Sequence, residues 1–283
     1  MKYTLKFLLT FSFTLSAQTQ VVMKEVMNMN APYVGEFTTT TTKYAAKNFF
    51  REESSIEIDR FLIRVAMGGN KVVGTVLNGK AETRVVYNLD GEEFASESFD
   101  TIRSNEGKPK LNAMSGMMNM GRRGSRSREN EQEDEGASNT DRQSSNNEYS
   151  RTISESLENI SGFNARKVST SFKRGDEGMM VIEEWFTEDT TLFRYLTDVE
   201  SDLIDSYGGV KSNNPRSFSE SMLAQNDREF DTVPGRMVKY TMEMKDENNG
   251  FKMAWELKSI KKVSFEQSDF EIYKKYEKVE KLD

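Results

Sequence analysis

An α+β fold, with a meandering, mainly antiparallel β-sheet and one or two helices, is predicted by three features of this chain. Short runs alternate apolar and polar residues, the period of a half-buried antiparallel strand. Turn pairs punctuate the runs, among them Gly68-Gly69, Asn78-Gly79 and Asp90-Gly91. Only two stretches carry helical spacing, and they sit between strand runs rather than alternating with them, which argues against a parallel α/β sheet.

The opening residues form a leader. Lys2 and Lys6 give a basic start, Phe7 to Leu15 an apolar stretch, and Ser16-Ala17 a small-residue exit. That is the pattern of a secretory signal peptide spanning 1–17, too short to cross a membrane, with Gln18 as the expected mature start. The expected location is periplasmic or secreted. With no cysteine in the chain, there is no lipid-attachment cysteine and no disulfide or thiolate metal site. The remainder, 18–283, is expected to be a single β-rich domain and not an integral membrane protein. Removing the two leader lysines takes the net charge from −7 to −9, which argues against a general attraction to nucleic acid.

The Thr38–Thr42 run suits an early edge strand, because β-branched residues are comfortable in extended backbone. Alternation then marks strands at Ser55–Val65, Lys71–Leu77 and Glu82–Leu89, with Asn78-Gly79 and Asp90-Gly91 suited to type I′ turns, which need positive φ at both central residues. Further strands are expected at Phe163–Lys173 and Met179–Phe186. After Asp189, a candidate N-cap, Leu192, Leu196, Val199, Leu203 and Tyr207 recur at three-to-four spacing, and Gly208-Gly209 supply the stop. This predicts a helix of about five turns at 3.6 residues per turn. A second helix is expected over Ser217–Arg228.

The clearest hairpin comes near the end. Val238, Tyr240, Met242 and Met244 share one face, Asp246–Gly250 forms the turn, and Phe251, Met253, Trp255 and Leu257 continue the face, with Val263 and Phe265 extending it. Asp246–Gly250 has calcium-friendly side chains, but it lacks the closing glutamate of an EF-hand and is fully explained as a turn.

Between the strands near Phe99 and Phe163 lies an insertion, about 104–152, of a different character. Met114, Met117, Met118 and Met120 are followed by Arg122, Arg123, Arg126 and Arg128, and then by Glu129, Glu131, Glu133, Asp134 and Glu135. The acids neutralise the basic patch, and the Gly/Ser/Asn/Gln-rich remainder cannot bury enough apolar surface to offset its ordering entropy, so disorder is expected. Long loops of this kind serve as linkers or interaction segments, which makes Lys110–Asn147 a candidate for docking a protein partner. Its methionines, with Met23, Met27 and Met29 as a looser second set, are soft donors of the type copper(I) prefers. The competing explanation is that methionine fills core throughout this chain.

Catalysis finds little support. Histidine and cysteine are absent, which removes the commonest general base, the thiol nucleophile, the serine–histidine triad and ordinary zinc sites. Asp198, Glu200, Asp202 and Asp205 crowd the long helix, but acids on a polar helix face are ordinarily solvated surface, and no spacing selects a pair. No enzyme activity and no cofactor are expected. The face carrying Tyr240, Met242, Met244, Met253 and Trp255 is the candidate ligand lining: adaptable methionines beside aromatics suit a loose apolar ligand. Alternation alone does not separate such a lining from ordinary core.

Several passages resemble a known family. Gly162-Phe163-Asn-Ala-Arg-Lys-Val168, then Glu183-Glu184-Trp185-Phe186-Thr187-Glu188-Asp189, and the ending Ser268-Asp269-Phe270-Glu271-Ile272 with Tyr276-Glu-Lys-Val279, look like passages of an uncharacterised, domain-of-unknown-function family of exported bacterial proteins. Glu93-Phe94-Ala-Ser-Glu-Ser-Phe99 is a fainter match. Tyr273 and Lys275 depart from the family's usual proline and glycine. The resemblance covers roughly Ile56 to Val279. That family is similar to the outer-membrane lipoprotein carriers (LolA/LolB-like), which implies a curved, mainly antiparallel, half-barrel-like sheet wrapped around one or two helices and shielding a groove for lipid or a lipidated protein, and it supplies no catalytic residue. The expected function is an exported carrier of an apolar ligand; the alternative is a non-catalytic structural or interaction protein of the envelope that binds its partner through the insertion.

Overall fold

The protein is described here by a computed structural model covering residues 18–32, 35–66, 69–111, 147–174, 179–210, 217–225, 228–245 and 250–282. The leader 1–17, the turn residues 246–249 and the insertion methionines Met114, Met117, Met118 and Met120 lie outside the described residues.

Twelve strands form one open, curved sheet: β1 (Thr19–Ala31), β2 (Gly35–Ala46), β3 (Phe49–Ile58), β4 (Lys71–Asn78), β5 (Thr83–Asn88), β6 (Glu93–Ser98), β7 (Asn147–Ile160), β8 (Phe163–Arg174), β9 (Met179–Thr187), β10 (Arg236–Lys245), β11 (Phe251–Ser264) and β12 (Glu277–Lys278). Their order across the sheet is β12-β6-β5-β4-β3-β2-β1-β11-β10-β9-β8-β7. The short β12 runs parallel to β6, and every other pair is antiparallel. The helices are α1 (Phe61–Ala66), α2 (Phe99–Ser104), α3 (Thr191–Ser206) and α4 (Phe218–Gln225).

Helix α3 lies against β1, β2, β3 and β11. Its Phe193, Leu196 and Leu203 are buried, and with Tyr207 they join Val21, Met23, Ala45, Phe50, Leu77 and Leu257 in the main core. A large apolar side chain fully withdrawn from water contributes about 1.5–3 kcal/mol, so this packing outweighs the weak propensity of any single turn. Thr190 is the N-cap, and Asp189 Oδ1 accepts from the Thr191 N–H at 3.4 Å. Gly208, at φ +74°, ends the helix as expected.

On the opposite face, the C-terminal segment crosses the sheet in two 3₁₀ turns. Phe265, Phe270, Ile272, Tyr273 and Tyr276 cover Phe49, Val76, Val85 and Tyr87. A buried polar plug fixes this layer. Arg51 donates to Tyr87 Oη at 3.0 Å, to Glu53 at 2.6 Å and to the Asp269 carbonyl at 2.7 Å. Gly74 is required beneath the Tyr87 ring, because a Cβ there would lie 2.2 Å from Cζ.

Five sequence expectations are corrected. The Thr38–Thr42 run lies not at an edge but inside β2, flanked by β1 and β3. The run Ser55–Val65 is not one strand: pairing stops at Ile58, whose N–H is taken by Asn70 Oδ1 at 3.1 Å, and Phe61–Ala66 coils into α1. The hairpins at 78–79 and 88–91 are not type I′ turns. In each, an asparagine Oδ1 (Asn78, Asn88) accepts from the two N–H groups two and three residues on, and the left-handed residue is a glutamate, Glu82 at φ +49° or Glu92 at φ +51°. The ends of the expected 104–152 insertion are ordered structure. Glu97 accepts from the Lys110 N–H at 3.0 Å, and β7 already runs from Asn147. Finally, Phe265 does not extend the Trp255 face. A bulge in the β1–β11 pairing resets the alternation, and Phe265 ends in the opposite layer.

Candidate functional site

The face that α3 covers continues past the end of the helix, and its composition changes row by row. On β1, alternate residues Val21, Met23, Glu25, Met27 and Met29 point the same way. The first two are core beneath α3. Next comes a charged row. Lys43, opposite Met23, reaches Glu52 at 3.1 Å and Glu25 at 3.8 Å. Burial pushes the Glu25 carboxyl above its ordinary value, against the pull of Lys43 and a hydrogen bond from Trp255. Burial also disfavours the Lys43 charge, but Glu52 and Glu25 outweigh it and hold its pKa above the usual lysine value.

Beyond the charged row, two rows become apolar across many strands. In one, Ile56, Thr39, Met27, Trp255 and Tyr240 lie opposite one another across β3, β2, β1, β11 and β10. In the next, Ile58, Phe37, Met29, Met253, Met242 and Ile182 do the same and reach β9. Six strands at about 4.8 Å spacing make this second row roughly 24 Å long. Its ends are buried at Ile58 and Ile182. Its middle, formed by Phe37, Met29, Met253 and Met242, is only half-buried. The result is an apolar strip with an open centre and a charged border on the α3 side.

The five sequence-predicted lining residues are brought together. Tyr240 and Trp255 are paired and stacked, with ring centroids 6.1 Å apart and planes 13° apart. Met242 faces Met253, and Met244 stands one row further on, 45% exposed. Tyr240 does not join the packing around the long helix. It is buried instead against Phe218 of α4, at 4.7 Å between centroids, and burial pushes its hydroxyl up to about 12. Sequence reasoning missed Met27, Met29 and Phe37 as part of this face. The alternation of β1 was there to be read, but a glutamate in mid-strand, Glu25, disguised it. Met23, grouped with Met27 and Met29 as a copper candidate, is core beneath α3.

Helix α4 borders the strip at the β9 end and is held by a buried polar clasp. Glu184, fully buried, accepts from Ser217 Oγ at 3.0 and 2.9 Å, from the Phe218 N–H at 2.7 Å and from the Ser219 hydroxyl. Arg151 ties the same corner together, donating to Thr170 at 2.9 Å, Ser219 at 2.8 Å and Glu220 at 3.1 Å. Three donors converge on this one carboxylate and satisfy its oxygens.

Of the acids on α3, Asp198, Asp202 and Asp205 are exposed, while Glu200 is half-buried on the side of Lys43. Among the described residues, no group of three Asp or Glu converges as a metal site would require, and no helix is long and apolar enough to cross a membrane. A cavity of about 440 Å³ between β8, β9 and the 233–234 segment is lined by Phe163, Arg166, Phe186, Glu188 and Pro234 among others, and shares no residue with the strip.

No protein-family model matches this chain, and no curated protein matches it. Among solved structures it is similar to a LolA superfamily protein from Nitrosomonas europaea, at 11% identity over 89% of this chain and 90% of that one, with a TM-score of 0.21. That likeness is too slight to bear on function.

Proposed function

We propose that this protein is an exported, periplasmic or secreted binding protein that takes up an apolar ligand, a lipid or an acyl group, along the strip floored by Phe37, Met27, Met29, Met242, Met253 and Trp255. The observation that carries the reading is the second row: a continuous apolar line whose ends are buried and whose centre is left half-exposed. Leaving such a line in water is costly, and each methylene of a ligand laid along it would contribute about 0.8 kcal/mol. Methionine side chains adapt to a chain with no fixed shape. The charged row of Glu25, Lys43 and Glu52 beside the strip would hold the ligand's polar end. The leader-like residues 1–17 support the compartment.

Native mass spectrometry of the protein purified gently from its host, with an organic extract analysed in parallel, tests this. Added mass matching an extracted lipid, lost in Met253→Glu while the fold is retained, is the expected result. A clean mass together with no uptake of an apolar fluorescent dye would overturn it and shift attention to a protein partner of the Lys110–Asn147 segment.

A further inference from the structure

The register gathers methionines more tightly than an apolar strip requires. Met29 lies directly opposite Met253, and Met253 directly opposite Met242, in one row across three adjacent strands. Met27 stands one row to one side on β1, and the Met244–Met180 pair one row to the other. Six of the chain's 16 methionines therefore meet on one face. None of the six is buried, whereas Met23 on the same strand face is core. Packing accounts for Met23; it gives no reason to cluster six thioethers that stay in partial contact with water.

We propose that Met29, Met253 and Met242 form a thioether site for a soft monovalent metal ion, copper(I) or its analogue silver(I). Side chains directly opposite in a sheet have Cβ atoms about 4.5–5.5 Å apart. Three rotatable bonds then let the outer two sulfurs swing towards the central one and enclose an ion. Soft thioethers select copper(I) over the hard and borderline cations that oxygen and nitrogen ligands prefer. The ligands are neutral, so the ion keeps its charge. The Trp255 and Tyr240 rings, one row away and themselves stacked, offer π-faces to share it. The chain has no histidine or cysteine to compete for the metal. The site uses the same face as the lipid reading but does not depend on it.

Methyl NMR of the protein labelled at the methionine ε-carbons, titrated with silver(I), is the test, followed by competition for copper(I) against a chromophoric chelator. The methyls of Met29, Met242 and Met253 should move together and saturate at one equivalent. Met253→Leu alone should weaken binding about tenfold or more, since it removes the central of three soft donors. Affinity should be the same from about pH 5.5 to 8, because a thioether has no proton to lose, unlike histidine or carboxylate ligands. The triple variant Met29→Leu, Met242→Leu, Met253→Leu nearly conserves volume, so it should lose silver(I) while its circular dichroism and Tm stay those of the wild type. Equal silver(I) affinity in wild type and Met253→Leu, or shifts confined to Met114, Met117, Met118 and Met120, would overturn the site. Loss of dye uptake in the wild type with silver(I) binding intact would overturn the lipid reading alone.

Discussion

Replacing Glu184 by alanine should free α4 while the sheet stays folded. The carboxylate is the shared acceptor for the hydroxyls of Ser217 and Ser219 and for the Phe218 N–H. With alanine there, Ser217 and Ser219 Oγ, 3.2 Å apart, can still bond each other, so one hydroxyl and the Phe218 N–H lose their acceptor. Each costs about 1–3 kcal/mol when left unpaired, so opening of α4 should become easier by about 2 kcal/mol even at the low end. At about 1.4 kcal/mol per decade, that is roughly a 30-fold acceleration of amide exchange through local opening. Hydrogen exchange read by mass spectrometry on peptides covering 217–228 is the assay. The Ser221 N–H, bonded to the Ser217 carbonyl at 3.2 Å, is the internal reporter. Glu184→Gln keeps one carbonyl acceptor and should accelerate exchange far less. Two results would refute the reasoning. Unchanged exchange over 217–228 would mean that Arg151 and Glu220 hold the helix alone; equal acceleration in β9 and β10 would mean that Glu184 supports the sheet rather than the clasp.

Further expectations concern stability and titration. Gly74→Ala should cost about 3 kcal/mol, because the new methyl drives the Tyr87 ring away from its bonds to Arg51 and Glu53; an unchanged Tm would count against this close approach. Glu25, whose folded pKa is raised, binds its proton more tightly in the folded than in the unfolded chain, so its contribution to stability falls as pH rises from below about 4.5 through the folded value. Glu25→Gln should therefore gain on wild type above that window and lose the advantage in acid, read from urea midpoints across pH; a constant difference would refute it. Tyr240, held up to about 12, should resist ionisation, so Tyr240→Phe should leave the amplitude of the spectrophotometric step near pH 10 unchanged and remove one tyrosine from the late-ionising set; a smaller step near pH 10 in the variant would refute it.

Part of the architecture was legible because period-two alternation survives where a strand keeps one wetter face, as in β10, whereas β4 and β5, covered on both faces at Val76 and Leu77 and at Val85 and Val86, were marked chiefly by the turn pairs beside them. The long helix was legible for the corresponding reason at a period near four. What escaped has local physical causes. β1 carries Glu25 at an inward position, tolerable only because Lys43 and Trp255 meet it there from the flanking strands β2 and β11, and no local pattern announces those partners. The bulge at Lys24/Glu25 shifts the phase of alternation along β11, which misplaced Phe265. Asn-Gly and Asp-Gly marked the turns but not their type, because the asparagine side chain bonds the loop and moves the left-handed residue to a glutamate. For the site, the five residues on β10 and β11 were readable as one face of a hairpin. Their neighbours Met27, Met29 and Phe37 come from more than 200 residues away in sequence, and only pairing joins them.

The position of β1 has a consequence for how the molecule comes together. β2 to β6 and β7 to β11 are two meanders, each built from neighbours in chain order, and β1 is the strand that joins them, pairing Thr19 with Ser264 on one side and Val21 with Ala45 on the other. Closing that seam encloses nearly the entire chain, so it should be the slow, late event of folding, reached after each meander has gained its local contacts. The methionine strip straddles the seam, with Met27 and Met29 on β1 and Met242 and Met253 beyond it. A half-finished molecule, or a fragment ending before β11, therefore has strands and a helix but no continuous strip: on the function proposed above, assembly itself would act as the check that only completed protein loads a ligand.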